Sequence, residues 1–213
     1  MDWFAQIDAY CERTDFSYWS EPLNAITNLA FIIAAIIMWR RSAGLPAARF
    51  LCVILFCIGV GSYLFHTHAT QWAALADVAP IGLFILTYLF LANRDMVGVP
   101  WWAALLITAL FAPYAYVIVP LLNQLPFFRI SNFYWTVPIL LILYAVLLRG
   151  PVGRGFIIGA AILCLSITLR SLDEIWCAQF PIGTHIFWHL LNGVMLGWMI
   201  EVYRRHMLAT RAA

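Results

Sequence analysis

Seven apolar stretches follow one another along this chain, at residues 23–39, 50–65, 72–91, 101–119, 133–148, 155–172 and 185–203, with only short polar or charged connections between them. Most approach the roughly 20 residues that carry a helix across the ~30 Å hydrocarbon core of a bilayer. With 64% hydrophobic and 10% charged residues, the chain lacks the polar surface that a water-soluble fold of this size needs. The reading is an all-α membrane protein, a seven-transmembrane-helix bundle forming one domain over residues 1–213.

The orientation follows from arginine, because Lys and Arg are held on the cytoplasmic side during insertion. There are twelve Arg and no Lys. An outside N-terminus puts Arg40, Arg41, Arg49, Arg94, Arg149, Arg154, Arg204, Arg205 and Arg211 inside, and leaves only Arg13, Arg129 and Arg170 outside. The expectation is therefore N-out, C-in, with residues 1–22 an acidic outer segment and residues 204–213 a basic cytoplasmic tail. The acidic, aromatic N-terminus lacks the basic and apolar regions of a signal peptide, so it is expected in the mature protein. The arginines sit at helix ends, not in a stripe, so no nucleic-acid partner is expected. No obligate protein partner is evident.

None of the five cysteines pairs at C-x-x-C spacing, and most read as small hydrophobes. Under this topology Cys11 and Cys177 share the outer side, where a disulfide is open to them, although spacing alone does not test its geometry.

Ionisable groups inside a bilayer are costly unless paired or bound to an ion, which makes each a functional candidate. The second run ends in GSYLFH, where Ser62 and His66 share a helical face. The third carries Asp77 near its start, and the seventh opens on THIFWH, with His185 and His189 also four apart. In the N-out topology all five lie at one depth near the outer face. Three imidazoles suit the three-ligand arrangement of catalytic Zn²⁺, which leaves a fourth position to water and lowers that water's pKa towards about 7. Asp77 then fits a proton-transfer role, and Ser62 a hydrogen bond to a developing oxyanion. The bland alternative is an interhelical hydrogen-bond network that fixes packing only. Against it, crowded imidazoles without a metal leave buried donors unsatisfied.

A second cluster, Asp8, Glu12, Asp15 and Glu21 with Asn24 and Asn28, gathers hard oxygen ligands that suit Ca²⁺, or else forms a solvated acidic segment. Asp173 and Glu174 are placed to pair with Arg170 or to line the pocket mouth. His68 falls in a turn and His206 in the tail. Gly193 and Gly197, in GVMLG, read as an intramolecular helix-packing face.

At these residues the sequence resembles the alkaline ceramidases, within the CREST group of seven-helix membrane hydrolases. The resemblance runs nearly end to end. It is carried by YCE at 10–12, E-x-x-N-x-x-[ST]-N at 21–28, S-x-x-F-H at 62–66, Asp77, D-x-I-W-C at 173–177 and H-x-x-W-H at 185–189. It implies a hydrolase of linear amide bonds, cleaving the N-acyl bond of ceramide to a fatty acid and a sphingoid base. By that similarity His66, His185 and His189 hold zinc, and Ser62 and Asp77 are catalytic. The resemblance also implies a Ca²⁺ site using Glu12 and Glu21. Ala9 and Thr14 depart from the family pattern there, leaving Asp8 or Asp15 to substitute.

The expected function is thus a zinc-dependent intramembrane amidase acting through metal-activated water on ceramide or a similar N-acyl membrane lipid, with its active site near the periplasmic or luminal face. A non-catalytic seven-helix receptor-like or metal-handling protein that binds zinc is the other reading.

Overall fold

A computed structural model describes residues 2–212. They fold almost wholly as helices: α1 (Pro22–Thr27), α2 (Leu29–Arg41), α3 (Pro46–His68), α4 (Gln71–Leu91), α5 (Trp101–Ala109), α6 (Phe111–Asn123), α7 (Pro126–Arg129), α8 (Asn132–Leu148), α9 (Gly150–Leu172) and α10 (His185–Ala212). Helix α4 continues as a π-helical turn, Ala92–Val97.

Among the described residues, five helical spans are long and apolar enough to cross a membrane: Pro22–Arg41, Pro46–His68, Gln71–Val97, Trp101–Asn123 and Gly150–Leu172. Of the seven expected runs, the fifth forms the shorter apolar helix Asn132–Leu148, and the seventh forms a 28-residue helix. The seventh overruns its expected end at residue 203, so the segment read as a tail continues the helix to Ala212. There Glu201 draws Arg204 and Arg205 into i,i+3 and i,i+4 pairs along its surface. The first run is not one helix, since the chain steps from α1 to α2 at Asn28. Asp77 lies inside α4, which starts six residues earlier at Gln71.

The helices close into a ring in which α4, α3, α2, α10, α9, α8, α6 and α5 are successive neighbours. Large apolar side chains point outward, among them Leu106, Leu147 and Val146 at 62%, 60% and 66% exposure, as lipid-facing surfaces require. Small residues set the closest approaches. A Cβ on Gly61 would run into the Ala76 carbonyl, so glycine lets α3 and α4 touch beside Ser62 and Asp77. Gly193 and Gly197 face Ala30 and Ala34 of α2, which makes GVMLG an intramolecular packing face.

The N-terminal segment lies over the α3–α4 turn. Gln6 pairs with Thr70, and the Ile7 amide donates to the Ala69 carbonyl. A Cys11–Cys177 disulfide ties this segment to the loop before α10.

Candidate metal centre

His66 comes from the last turn of α3, and His185 and His189 from the first turns of α10. All three are at most 1% exposed. One nitrogen of each lies within 4.8 Å of the others, the one potential three-ligand group among the described residues. The spacing that sequence alone put on one helical face delivers His185 and His189 together, with ring centroids 4.6 Å apart.

What surrounds the imidazoles settles which nitrogens face one another. Glu21 Oε2 lies 2.6 Å from His66 Nδ1, so Nδ1 donates to the carboxylate and, in the neutral imidazole that a metal requires, Nε2 keeps its lone pair. Thr27 donates its hydroxyl to the Leu23 carbonyl and so accepts from His189 Nδ1 at 2.8 Å, which likewise frees His189 Nε2. The two Nε2 atoms are 3.1 Å apart. Two lone pairs facing each other at that distance repel unless a cation sits between them. A tetrahedral ion with bonds of about 2.0–2.1 Å would separate its ligand nitrogens by roughly 3.3 Å. His185 adds a buried Nδ1 with no partner. The donor set therefore fits a transition-metal ion.

A surrounding shell holds these rings. Arg13, buried in spite of its charge, donates to Glu21 Oε1 at 2.5 Å and to the carbonyls of Asp15 and His66, each at 2.9 Å. Burial would raise the Glu21 carboxyl, but the hydrogen bonds and charges of His66 and Arg13 outweigh it and hold the group below its ordinary value. Asp173 Oδ1 accepts the Thr184 and His185 amides at 2.6 and 2.8 Å, capping α10, while Oδ2 accepts the Cys11 amide at 3.0 Å. Gly183, at a left-handed φ of +75°, leaves room for that carboxylate, since a Cβ there would strike Asp173 and Cys11. Tyr10 stacks on His185 with ring centroids 3.7 Å apart.

Ser62 is buried, within hydrogen-bonding reach of the half-buried Asp77 carboxylate, and Asp77 in turn faces His66 and Arg170. Asp77 does not join the three-nitrogen group. Asp8, Glu12 and Glu21 are not brought together as a cation site. Asp8 is exposed, Glu12 accepts the Leu23 and Asn24 amides at 2.7 and 2.8 Å, and the Arg13 guanidinium lies where a cation would meet Glu21. Sequence reasoning gave Glu21 to calcium and missed its service to His66, and it passed over Thr27, Arg13 and Tyr10. The one signal for Thr27 was its place in the 21–28 motif.

Beside the site an apolar cleft opens, with an accessible volume of about 80 Å³, lined by Phe31, Ile58, Tyr134, Trp188 and Met199 among others, with Asn192 as a polar side chain. Its α10 wall runs from Trp188 to Met199, roughly 16 Å at 1.5 Å per residue.

Apolar helical spans enclosing a buried three-histidine site beside a greasy cleft define a multi-pass membrane protein with a potential metal centre. A search of curated proteins finds no match. The family described as Ceramidase matches residues 5–211, nearly the whole chain, and the protein belongs to that family. Membership implies a hydrolase that acts on amide bonds, with the lipid ceramide as the family's substrate.

Proposed function

We propose that this protein is a zinc-dependent amidase that hydrolyses the N-acyl bond of ceramide or a similar N-acyl lipid within the membrane, releasing a fatty acid and a free amine. The observation that carries the reading is the pair of Nε2 lone pairs of His66 and His189, 3.1 Å apart, each fixed by a hydrogen bond at the opposite nitrogen. His66, His185 and His189 would hold the ion. When bound, zinc with three histidines and an open position activates water and polarises a carbonyl.

The chain's own residues do the rest. Asp77, outside the ligand set, takes the proton from the attacking water and passes it to the departing nitrogen. Ser62 donates to the acyl oxygen as charge develops there. The cleft beside the site takes a hydrocarbon chain and excludes water, and Tyr10 covers His185 from above. Arg13 supplies the positive charge beside Glu21, so the reading needs no calcium.

All seven runs cross the membrane in this proposal, N-out and C-in, with the site near the periplasmic or luminal face. Nine of twelve arginines on the other side support that orientation. So does the Cys11–Cys177 disulfide, since such bonds persist in oxidising compartments.

The test is to purify the protein in detergent, measure bound metal and assay fatty-acid release from ceramides, with His189→Ala as control. Stoichiometric zinc with turnover abolished by His189→Ala is expected. Zinc with no turnover of any N-acyl lipid would instead favour a metal-handling protein.

A further inference from the structure

Arg170, at the end of α9, is a cation with no carboxylate in direct contact; the acid it faces, Asp77, stays beyond ion-pair distance. Among the described residues it forms no ion pair. The two carboxylates nearest in sequence do not serve it, because Asp173 is committed to three backbone amides and Glu174 is exposed. Its protein partners are neutral: Nη1 donates to Ser131 Oγ at 2.8 Å, and Nη2 donates to Tyr10 Oη at 3.4 Å. A guanidinium has five N–H donors, so these two bonds leave most of its capacity uncommitted.

Three aromatic rings hold it in place. The guanidinium carbon lies 5.1 Å from the ring centre of Tyr134, 5.6 Å from that of Trp188 and 5.9 Å from that of Tyr10. Those rings also locate it relative to the chemistry. Tyr10 stacks directly on His185, while Tyr134 and Trp188 line the apolar cavity. The fixed cation is thus one ring away from a proposed metal ligand and borders the cavity for the hydrocarbon chain.

Keeping a charge here is costly unless something repays its desolvation. Cation–π contacts do so in part. A planar guanidinium with free donors is suited to bidentate contact with a carboxylate or phosphate. We propose that Arg170 forms an anion subsite, and that the preferred substrates are N-acyl lipids bearing a carboxylate or phosphate on the amine side, close to the scissile amide. This rests on the amidase reading above and narrows its substrate class. The reaction is unchanged: water adds its oxygen to the acyl carbon, the C–N bond breaks, and the nitrogen leaves with a proton.

The experiment compares matched probes on the intact protein in detergent, N-palmitoylglycine against N-palmitoylethanolamine and ceramide 1-phosphate against ceramide. Wild-type kcat/KM is expected to favour the anionic member of at least one pair, and the favoured pair identifies carboxylate or phosphate as the group read. Arg170→Gln should lower that anionic-to-neutral ratio roughly 10- to 100-fold, as loss of a charge-assisted hydrogen bond predicts, and Arg170→Lys should restore part of it. Equal wild-type kcat/KM within both pairs overturns the subsite, and that comparison needs no variant to fold. An unchanged ratio in Arg170→Gln overturns it too. If no probe is turned over, the amidase reading fails. The subsite is then judged by equilibrium binding of the same pairs, where tighter wild-type binding of an anionic member upholds it and equal binding removes it.

Discussion

Glu21 and His66, 45 residues apart in sequence, meet at 2.6 Å between carboxylate oxygen and Nδ1. The contact fixes the tautomer and the direction of the imidazole, so a residue that touches no metal governs one that would. Glu21→Gln keeps the shape and removes the charge. Metal affinity should fall about 10- to 100-fold, as for other carboxylates behind ligating histidines, measured by competition with a chelator of known affinity.

Arg13 neutralises that same buried carboxylate. Arg13→Met leaves Glu21 with only His66 and the Asn24 side-chain amide, and loss of one partner of a buried pair costs about 3–5 kcal/mol. A lowered midpoint of thermal unfolding in detergent is the expected result. Because the guanidinium already supplies the charge, a calcium-selective chelator should alter neither stability nor turnover.

The Cys11–Cys177 bridge closes a loop of 166 residues. Removing it with Cys11→Ser should cost about 2–5 kcal/mol. Mild reductant should produce the same drop in wild-type unfolding temperature and no drop in the variant.

Stripping the ion has a calculable effect. Metal present at about 100 times its dissociation constant stabilises the folded state by roughly 2.7 kcal/mol. Chelation should lower the unfolding temperature accordingly, and added zinc should restore it in the wild type but not in His189→Ala.

Gly61 sets the contact between α3 and α4. Gly61→Val forces those helices apart beside Ser62 and Asp77, an overpacking worth about 1–3 kcal/mol. Turnover should fall further than metal content, measured on the same preparation.

Much of this was legible in sequence because it depends on period and polarity. Apolar runs became helices, and His185 and His189, four residues apart, emerged on one face. Ser62 and Asp77 drew notice as candidates because polar groups stand out in an apolar chain. The rest depends on contacts between distant segments. Thr27 meets His189 across 162 positions, and apart from its place in the 21–28 motif nothing local distinguishes that threonine from one bonded only to its own helix. Glu21 read as one of several acidic residues in a row, and burial alone separates it from exposed Asp8. Arg170 looked like a partner for Asp173 until the backbone amides at the start of α10 claimed that carboxylate.

The centre draws its parts from both ends of the chain, with Tyr10, Glu21, Thr27 and His66 from the first third and His185 and His189 from the last helix. A ribosome that has delivered everything up to residue 180 has therefore made only one of the three imidazoles. The three-histidine group is complete only late in synthesis, once α10 has been made and Cys177 has found Cys11. A nascent or prematurely terminated chain would hold the His66 imidazole and its Glu21 contact but no three-nitrogen group.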